Sequence, residues 1–273
     1  MKNWCIFIQE RFPPLKHVPL ILFFFLANTF VFNGSFLFLS FFIVLLAFFH
    51  LRVFDEIKDY KNDLALHPER PLARGLISIR EAKRVVFFLL CVELGGSLWI
   101  GFAPFLAALF FILYSLLMYK EFFVGSWLRL KLATYALTHT IISCFLSLFI
   151  FSSVTHQNFW EIPKSFAFFV LSNWMVFNIF EFGRKTFGKE EEKPCIESYS
   201  KNFGAYGAAF CVLGFAAFAV LGNPLSFFLW IPLSIVSLLY GHFNTALWAK
   251  RFRLACSLYI LFYYMIISLR FFL

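Results

Sequence analysis

Arg52-Val-Phe-Asp55-Glu56-Ile-Lys58-Asp59-Tyr-Lys61-Asn-Asp63 closes a long apolar run, and Glu69-Arg70-Pro71-Leu72-Ala-Arg74-Gly75-Leu-Ile77-Ser78 follows shortly after it. Three aspartates four residues apart fall on one side of an α-helix, each about 6 Å further along the axis. With Glu56 they put four carboxylates into nine residues at the end of an apolar segment. The C-terminal end of a helix is negative, so this crowding opposes the macrodipole. Local pairing with Lys58 and Lys61 offsets only tenths of a kcal/mol, on the order of 0.3. A divalent cation offsets far more. Mg2+ takes one or two carboxylates and leaves its other positions to water and phosphate oxygens. Arg70 and Arg74 then bring guanidinium forks suited to phosphate, with Pro71 keeping them off one regular helix.

Outward from this stretch, the chain is a membrane protein. Of its 273 residues 61% are hydrophobic and 14% charged, with a mean hydropathy of +0.79. Soluble domains run at about 45–50% apolar and 25% charged, so lipid must solvate most of this surface. The 44 phenylalanines serve either as generic lipid-facing residues or as the aromatic wall of a cavity for an apolar chain or carbocation. The six cysteines are scattered without metal or redox spacing and read as small apolar fillers. No removed signal peptide is expected, because Arg11, Pro13 and Pro14 interrupt the N-terminus.

The pattern predicts an all-α, polytopic bundle of about nine transmembrane helices in one domain, 1–273. Residues 1–16 form an interfacial lead-in, with Trp4 and Phe7 as anchors and Arg11 and Lys16 at headgroups. Spans follow at 17–33, 35–55, from the Ser78/Glu81 capping box to about Gly101, then to Tyr119, and at 132–151, 163–182, 203–221, 225–243 and 254–272. Residues 59–80 are expected as a polar loop. The net charge of +9 is concentrated after spans two, four, six and eight; Lys164 is the exception. This alternation places the N-terminus and the acidic stretch in the cytoplasm. The expected location is a bacterial inner membrane. No basic, aromatic-interleaved segment reads as a nucleic-acid surface.

Intramembrane polar groups (Asn28, His50, Glu93, His139, Asn173, His242 and Asn244) either hydrogen-bond between helices or serve function. His139, between Thr138 and Thr140, is the preferred acceptor contact. Lys120, after Tyr119, is placed to reach a phosphate, and Lys131 is a second candidate for that contact.

Asp55-Glu56-x-x-Asp59-x-x-x-Asp63, followed by Arg70-Pro71-Leu72-x-x-Gly75-x-Ile77-Ser78, resembles the first signature of the UbiA superfamily of intramembrane prenyltransferases. That signature usually reads N-D-x-x-D-x-x-x-D and then R-P-L-x-x-G-x-I-S. Asp55 and Glu56 replace its first Asn and Asp. The resemblance implies a nine-helix bundle and Mg2+-dependent transfer of a prenyl group from an isoprenyl diphosphate to an unidentified acceptor, with membrane lipid as the solvent. It implies metal binding by Asp55, Asp59, Asp63 and Glu181. Diphosphate contacts fall to Arg70, Arg74, Lys120 and Lys185, and substrate contacts to Asn178 and His139. Asp55, Asp59, Arg70 and Lys185 carry the catalysis.

The second acidic motif departs from that pattern. Asn178-Ile-Phe-Glu181-Phe-Gly-Arg184-Lys185 keeps one acid. An ammonium has no lone pair to give a metal. Lys185 therefore meets the diphosphate itself, snorkels from a helix end, or marks a decayed site. Glu190, Glu191 and Glu192 are either a lid over the site or a solvated face, with Pro194, Glu197 and Tyr199 beyond. The competing reading is a non-catalytic relative acting as transporter or membrane scaffold.

Overall fold

The computed structural model describes residues 2–193 and 197–269. Cys195, Pro194 and the predicted end of the ninth span, 270–272, lie outside the described residues. The chain is helical from α1 (Lys2–Arg11) to α12 (Ala246–Leu269). Between them lie α2 (Pro14–Val31), α3 (Phe38–Leu66), α4 (Ile79–Ile100), α5 (Phe102–Tyr119), the short α6 (Gly125–Leu128), α7 (Leu132–Thr140), α8 (Ile142–Thr155), α9 (Lys164–Arg184), α10 (Tyr199–Gly222) and α11 (Phe227–Phe243). Among the described residues eight segments are long and apolar enough to cross a membrane, α7 and α8 together making one of them. The protein is thus an integral, multi-pass membrane protein. The ninth membrane-length helix is α4. Arg80, Glu81, Lys83 and Arg84 crowd its start and Glu93 its middle, yet its 22 residues join the polar end of α3 to the opposite end of the bundle, where α5 begins.

Successive helices pack side by side: α3 on α4, α4 on α5, α5 on α8, α8 on α9, α9 on α10, α10 on α11 and α11 on α12. Helix α2 closes the ring by packing on α12, α8 and α3, and α12 also packs on α9. One large core runs through this ring, with Phe24, Phe111, Phe149, Phe182 and Tyr264 wholly buried. Aromatic rings cluster at its centre. Phe24 meets Phe48, Phe177 and Tyr264 with centroids 5.3–6.0 Å apart, joining α2, α3, α9 and α12.

Local chemistry sets the element ends. Ser78 and Glu81 form the expected capping box on α4: the Glu81 amide donates to Ser78 Oγ and the Ser78 amide to Glu81 Oε2. Gly204, at φ 72°, breaks α10 after its first turn in a conformation that glycine adopts freely.

Three expectations need correction. The predicted polar loop at 59–80 begins only after Leu66, because α3 continues through the whole acidic stretch. At 29 residues it is about 43 Å long, longer than the roughly 30 Å hydrocarbon core, so its last turns stand clear of it. Phe7 is not an interfacial anchor. It is fully buried against Val53, Phe54, Ile57, Leu72 and Ile77, so α1 is packed onto the acidic end of α3. Lys250, Arg251 and Arg253 lie within α12 rather than before it.

Candidate active site at the charged end of the bundle

Along α3, positions four apart drift by about 40° per step. Asp55, Asp59 and Asp63 therefore fan across one side instead of converging. Among the described residues no three acid, histidine or cysteine side chains form a ready metal cage.

Each acid of the fan has its own surroundings. Asp55 is half exposed (51% for the side chain) and takes a hydrogen bond from Lys58 Nζ at 3.2 Å. Lys58 is itself only 8% exposed and also donates to Tyr135 Oη on α7, at 2.8 Å. Asp63 is buried and receives Arg70 Nη1 at 2.6 Å. Glu56 points away from the fan, into a buried contact with Arg11 (2.6 Å) and Arg52 (2.7 Å). Asp59 makes no ion pair among the described residues. It lies within electrostatic reach of Lys58 and Arg129.

Helix α7 joins this fan to the C-terminal end of α9. Its Tyr135 meets Lys58, and its Thr140 donates to Asn178 Oδ1 at 2.9 Å. Asn178 Nδ2 donates to Trp174 O, one turn back on α9, at 2.8 Å, so only the oxygen of that amide ties α9 to α7. His139 stacks on Tyr135 at 3.9 Å. Its Nδ1 donates to Tyr135 O at 2.8 Å, because a carbonyl can only accept. Nε2 is therefore left with the lone pair; it is buried and has no partner.

On α9, Glu181 is forked by Arg184, with Nη2–Oε1 at 2.9 Å, and lies 3.2 Å from Lys185 Nζ. Arg184 is within electrostatic reach of Asp55, which puts the two motifs at one mouth. A small cavity of about 30 Å³ opens beside Asp55 between α3 and α5, lined by Leu51, Phe54, Asp55, Lys58, Ser115 and Tyr119 among others. Phe54 and Tyr119 stack at 4.7 Å and separate it from a groove of about 230 Å³ that holds Lys83 and Lys120.

The structure thus brings together Asp55, Asp59, Asp63, Arg70, Glu181, Lys185 and, through α7, His139 and Asn178. Arg74 stands apart, bonded to Glu10 at 2.8 Å and to Glu69 O. Lys120 lies across the aromatic pair from Asp55, and Lys131 sits over Trp127. Lys58, Tyr135, Arg184 and Arg129 are site residues that the sequence reading left out. For Lys58 the signal was present: at i+3 from Asp55 it shares the same arc of the helix.

Two loop groups show how charge is held around the mouth. Arg129 hydrogen-bonds both oxygens of Glu121 at 2.9 Å, which with the nearby carboxylates holds its guanidinium above its ordinary range. Glu191 receives Arg253 at 2.7 and 2.9 Å, and these bonds hold its carboxyl below the usual range. The loop after α9 is thereby strapped to α12.

The protein is thus a polytopic helical membrane bundle with acids and bases gathered at one end, over an aromatic interior. The UbiA prenyltransferase family matches residues 17–186, and the chain belongs to that family. Its fold is similar to that of digeranylgeranylglyceryl phosphate synthase (TM-score 0.67, 17% identity, 99% of this chain and 100% of that one). A UbiA homologue from Aeropyrum pernix K1 gives a TM-score of 0.64 at 16% identity, over 92% of this chain and 95% of that one. A UbiA homologue from Archaeoglobus fulgidus bound to GPP and Mg2+ gives 0.57 at 16% identity, over 96% and 99%. No curated protein sequence matches the chain.

Proposed function

We propose that this protein transfers a prenyl group from an isoprenyl diphosphate to an acceptor, at the cytoplasmic face of the membrane. The observation that carries the reading is the joint mouth of α3 and α9. There Asp59, without an ion pair among the described residues, lies within electrostatic reach of Lys58 and Arg129, Lys185 lies beside Glu181 on the facing helix, and the Phe24–Phe48–Phe177 cluster draws on the same two helices deeper in the bundle. Phe48 lies two turns from Asp55 on α3, and Phe177 one turn from Glu181 on α9. A headgroup held at the mouth would lead its chain onto those rings. A homologue bound to GPP and Mg2+ supports a prenyl diphosphate as the ligand.

The donor set fits a single Mg2+ ion. Asp59 is free and Asp55 is half exposed, whereas Asp63 and Glu181 are held by guanidinium groups. When bound, that ion would supply positive charge to the departing diphosphate. The chain's own bases act in the same sense. Lys58, Arg70 and Lys185 stabilise negative charge as it gathers on the leaving oxygens. The aromatic cluster excludes water from the allylic cation and faces it with ring quadrupoles. His139 Nε2, with its lone pair, is the nearby group able to receive a proton from the acceptor.

Membranes containing the Asp59→Ala variant should lose Mg2+-dependent prenyl transfer by at least about 100-fold, read as diphosphate release from a panel of prenyl diphosphates. Undiminished release would end this assignment. Uptake of a solute without bond cleavage would favour the transporter reading.

A further inference from the structure

The charged mouth is neutralised by the chain itself. Asp55 pairs with Lys58, Asp63 with Arg70, Glu56 with Arg11 and Arg52, Glu121 with Arg129, and Glu181 with Arg184 and Lys185. With Asp59 added, these are six carboxylates and seven bases, a net charge of +1. A column of bare carboxylates repels a diphosphate until metal ions reverse its sign. This site has no such barrier.

Several of its bases also keep unused donors. An ammonium has three N–H groups and a guanidinium five. Lys58 uses two, on Asp55 and Tyr135, and with Asp55 it lines the small cavity between α3 and α5. Arg184 uses Nε and one Nη2 hydrogen on Glu181, and its side chain is half exposed. Lys185 has one partner, the same Glu181, at 3.2 Å. Glu181 sits one turn before both bases, at i+3 and i+4, and so acts as the residue that positions them. For Asp63 or Glu181 to ligate a metal, each would first have to release its guanidinium.

We propose that the prenyl diphosphate of the function proposed above is bound chiefly by the side-chain cations Lys58, Arg184 and Lys185, and that this binding does not require a divalent metal. A single ion at Asp59 adds to the grip on the headgroup without creating it. Lys185 then stands in the second motif for a purpose: it contacts the anion directly where an acid would do so through a metal.

The test is equilibrium binding of a non-reactive thiolo analogue of a prenyl diphosphate to the full chain in lipid nanodiscs, measured with Mg2+ and with excess EDTA. Chelation should weaken binding less than about tenfold. Lys58→Met and Lys185→Gln should each weaken binding in EDTA about tenfold or more, and Lys185→Arg should restore most of it. Lys185 is a partly exposed residue at a helix end, so its replacement leaves the bundle intact. Binding seen only with Mg2+ would overturn the proposal and leave prenyl transfer standing. Binding in EDTA that ignores both lysine variants would overturn the assignment of the cations. An analogue that binds in neither condition would remove the diphosphate donor itself, and both readings with it.

Discussion

Within the membrane, His50 Nδ1 and Glu93 Oε1 lie 2.8 Å apart, and both side chains are fully buried between α3 and α4. His50 also stacks on Phe111 and meets the edge of Phe54. The second polar atom of each group, Nε2 and Oε2, has no partner. The pair thus satisfies itself only by half, and each member depends on the other. Removing one leaves a buried polar group stranded, which costs about 1–3 kcal/mol. Removing both in favour of apolar groups of similar volume is nearly neutral. Glu93→Leu should therefore lower resistance to unfolding in micelles by about that amount, and His50→Phe with Glu93→Leu should recover most of it. A double variant as weak as the single one would show that the two residues do not act as a unit. His50 lies five residues before Asp55 and well off its face, so a change confined to this pair should leave donor binding within about threefold.

At the level of the helices, the second motif depends on how α9 lies against α12. A Cβ atom at Gly183 would stand 2.4 Å from Cys256 Cβ, far inside contact distance. The helices touch there because Gly183 has no side chain, between Glu181 and Lys185. Gly183→Ala should push α9 away from α12, cost about 1–3 kcal/mol of stability and weaken binding of the prenyl diphosphate analogue by displacing Arg184 and Lys185. Adding Cys256→Gly removes the opposing Cβ and should restore the binding, while a mid-helix glycine keeps roughly 1 kcal/mol of the instability. Binding that falls with Gly183→Ala and stays low in the double variant would contradict this packing account. Helix ends are also where the sequence was least legible. The apolar pattern stops near Asp55, yet α3 runs to Leu66, because Ile57 and Tyr60 pack against Phe7 and its neighbours and Arg70 returns to Asp63. The partners that hold this end come from 45 residues away for Arg11 and 77 for Tyr135. Periodicity within one segment carries no record of them. The capping box at Ser78 needed no distant partner and was read correctly.

Across the whole molecule, charge divides the two ends of the bundle. Among the described residues every Lys and Arg except Lys164 lies toward the end that carries α1, the acidic stretch and the loop after α9. The span count, made from the apolar runs, agreed with this alternation, which shows in sequence because each loop is short and local. What it cannot encode is the pairing of those charges, which turned an expected acid column into a nearly neutral mouth. The positive-inside rule orients such a bundle with its basic end in the cytoplasm, the side on which a soluble diphosphate would arrive. That orientation is testable with single cysteines in a background whose native cysteines are alanine. Lys61→Cys lies exposed at the acidic end of α3, and Gln157→Cys lies exposed at the opposite end, between α8 and α9. In intact cells a membrane-impermeant maleimide should label Gln157→Cys at once and leave Lys61→Cys untouched until the membrane is permeabilised. The reverse pattern would put the mouth outside. A donor made in the cytoplasm would then have to cross the bilayer before binding, and the placement of the reaction proposed above would fail even if its chemistry held.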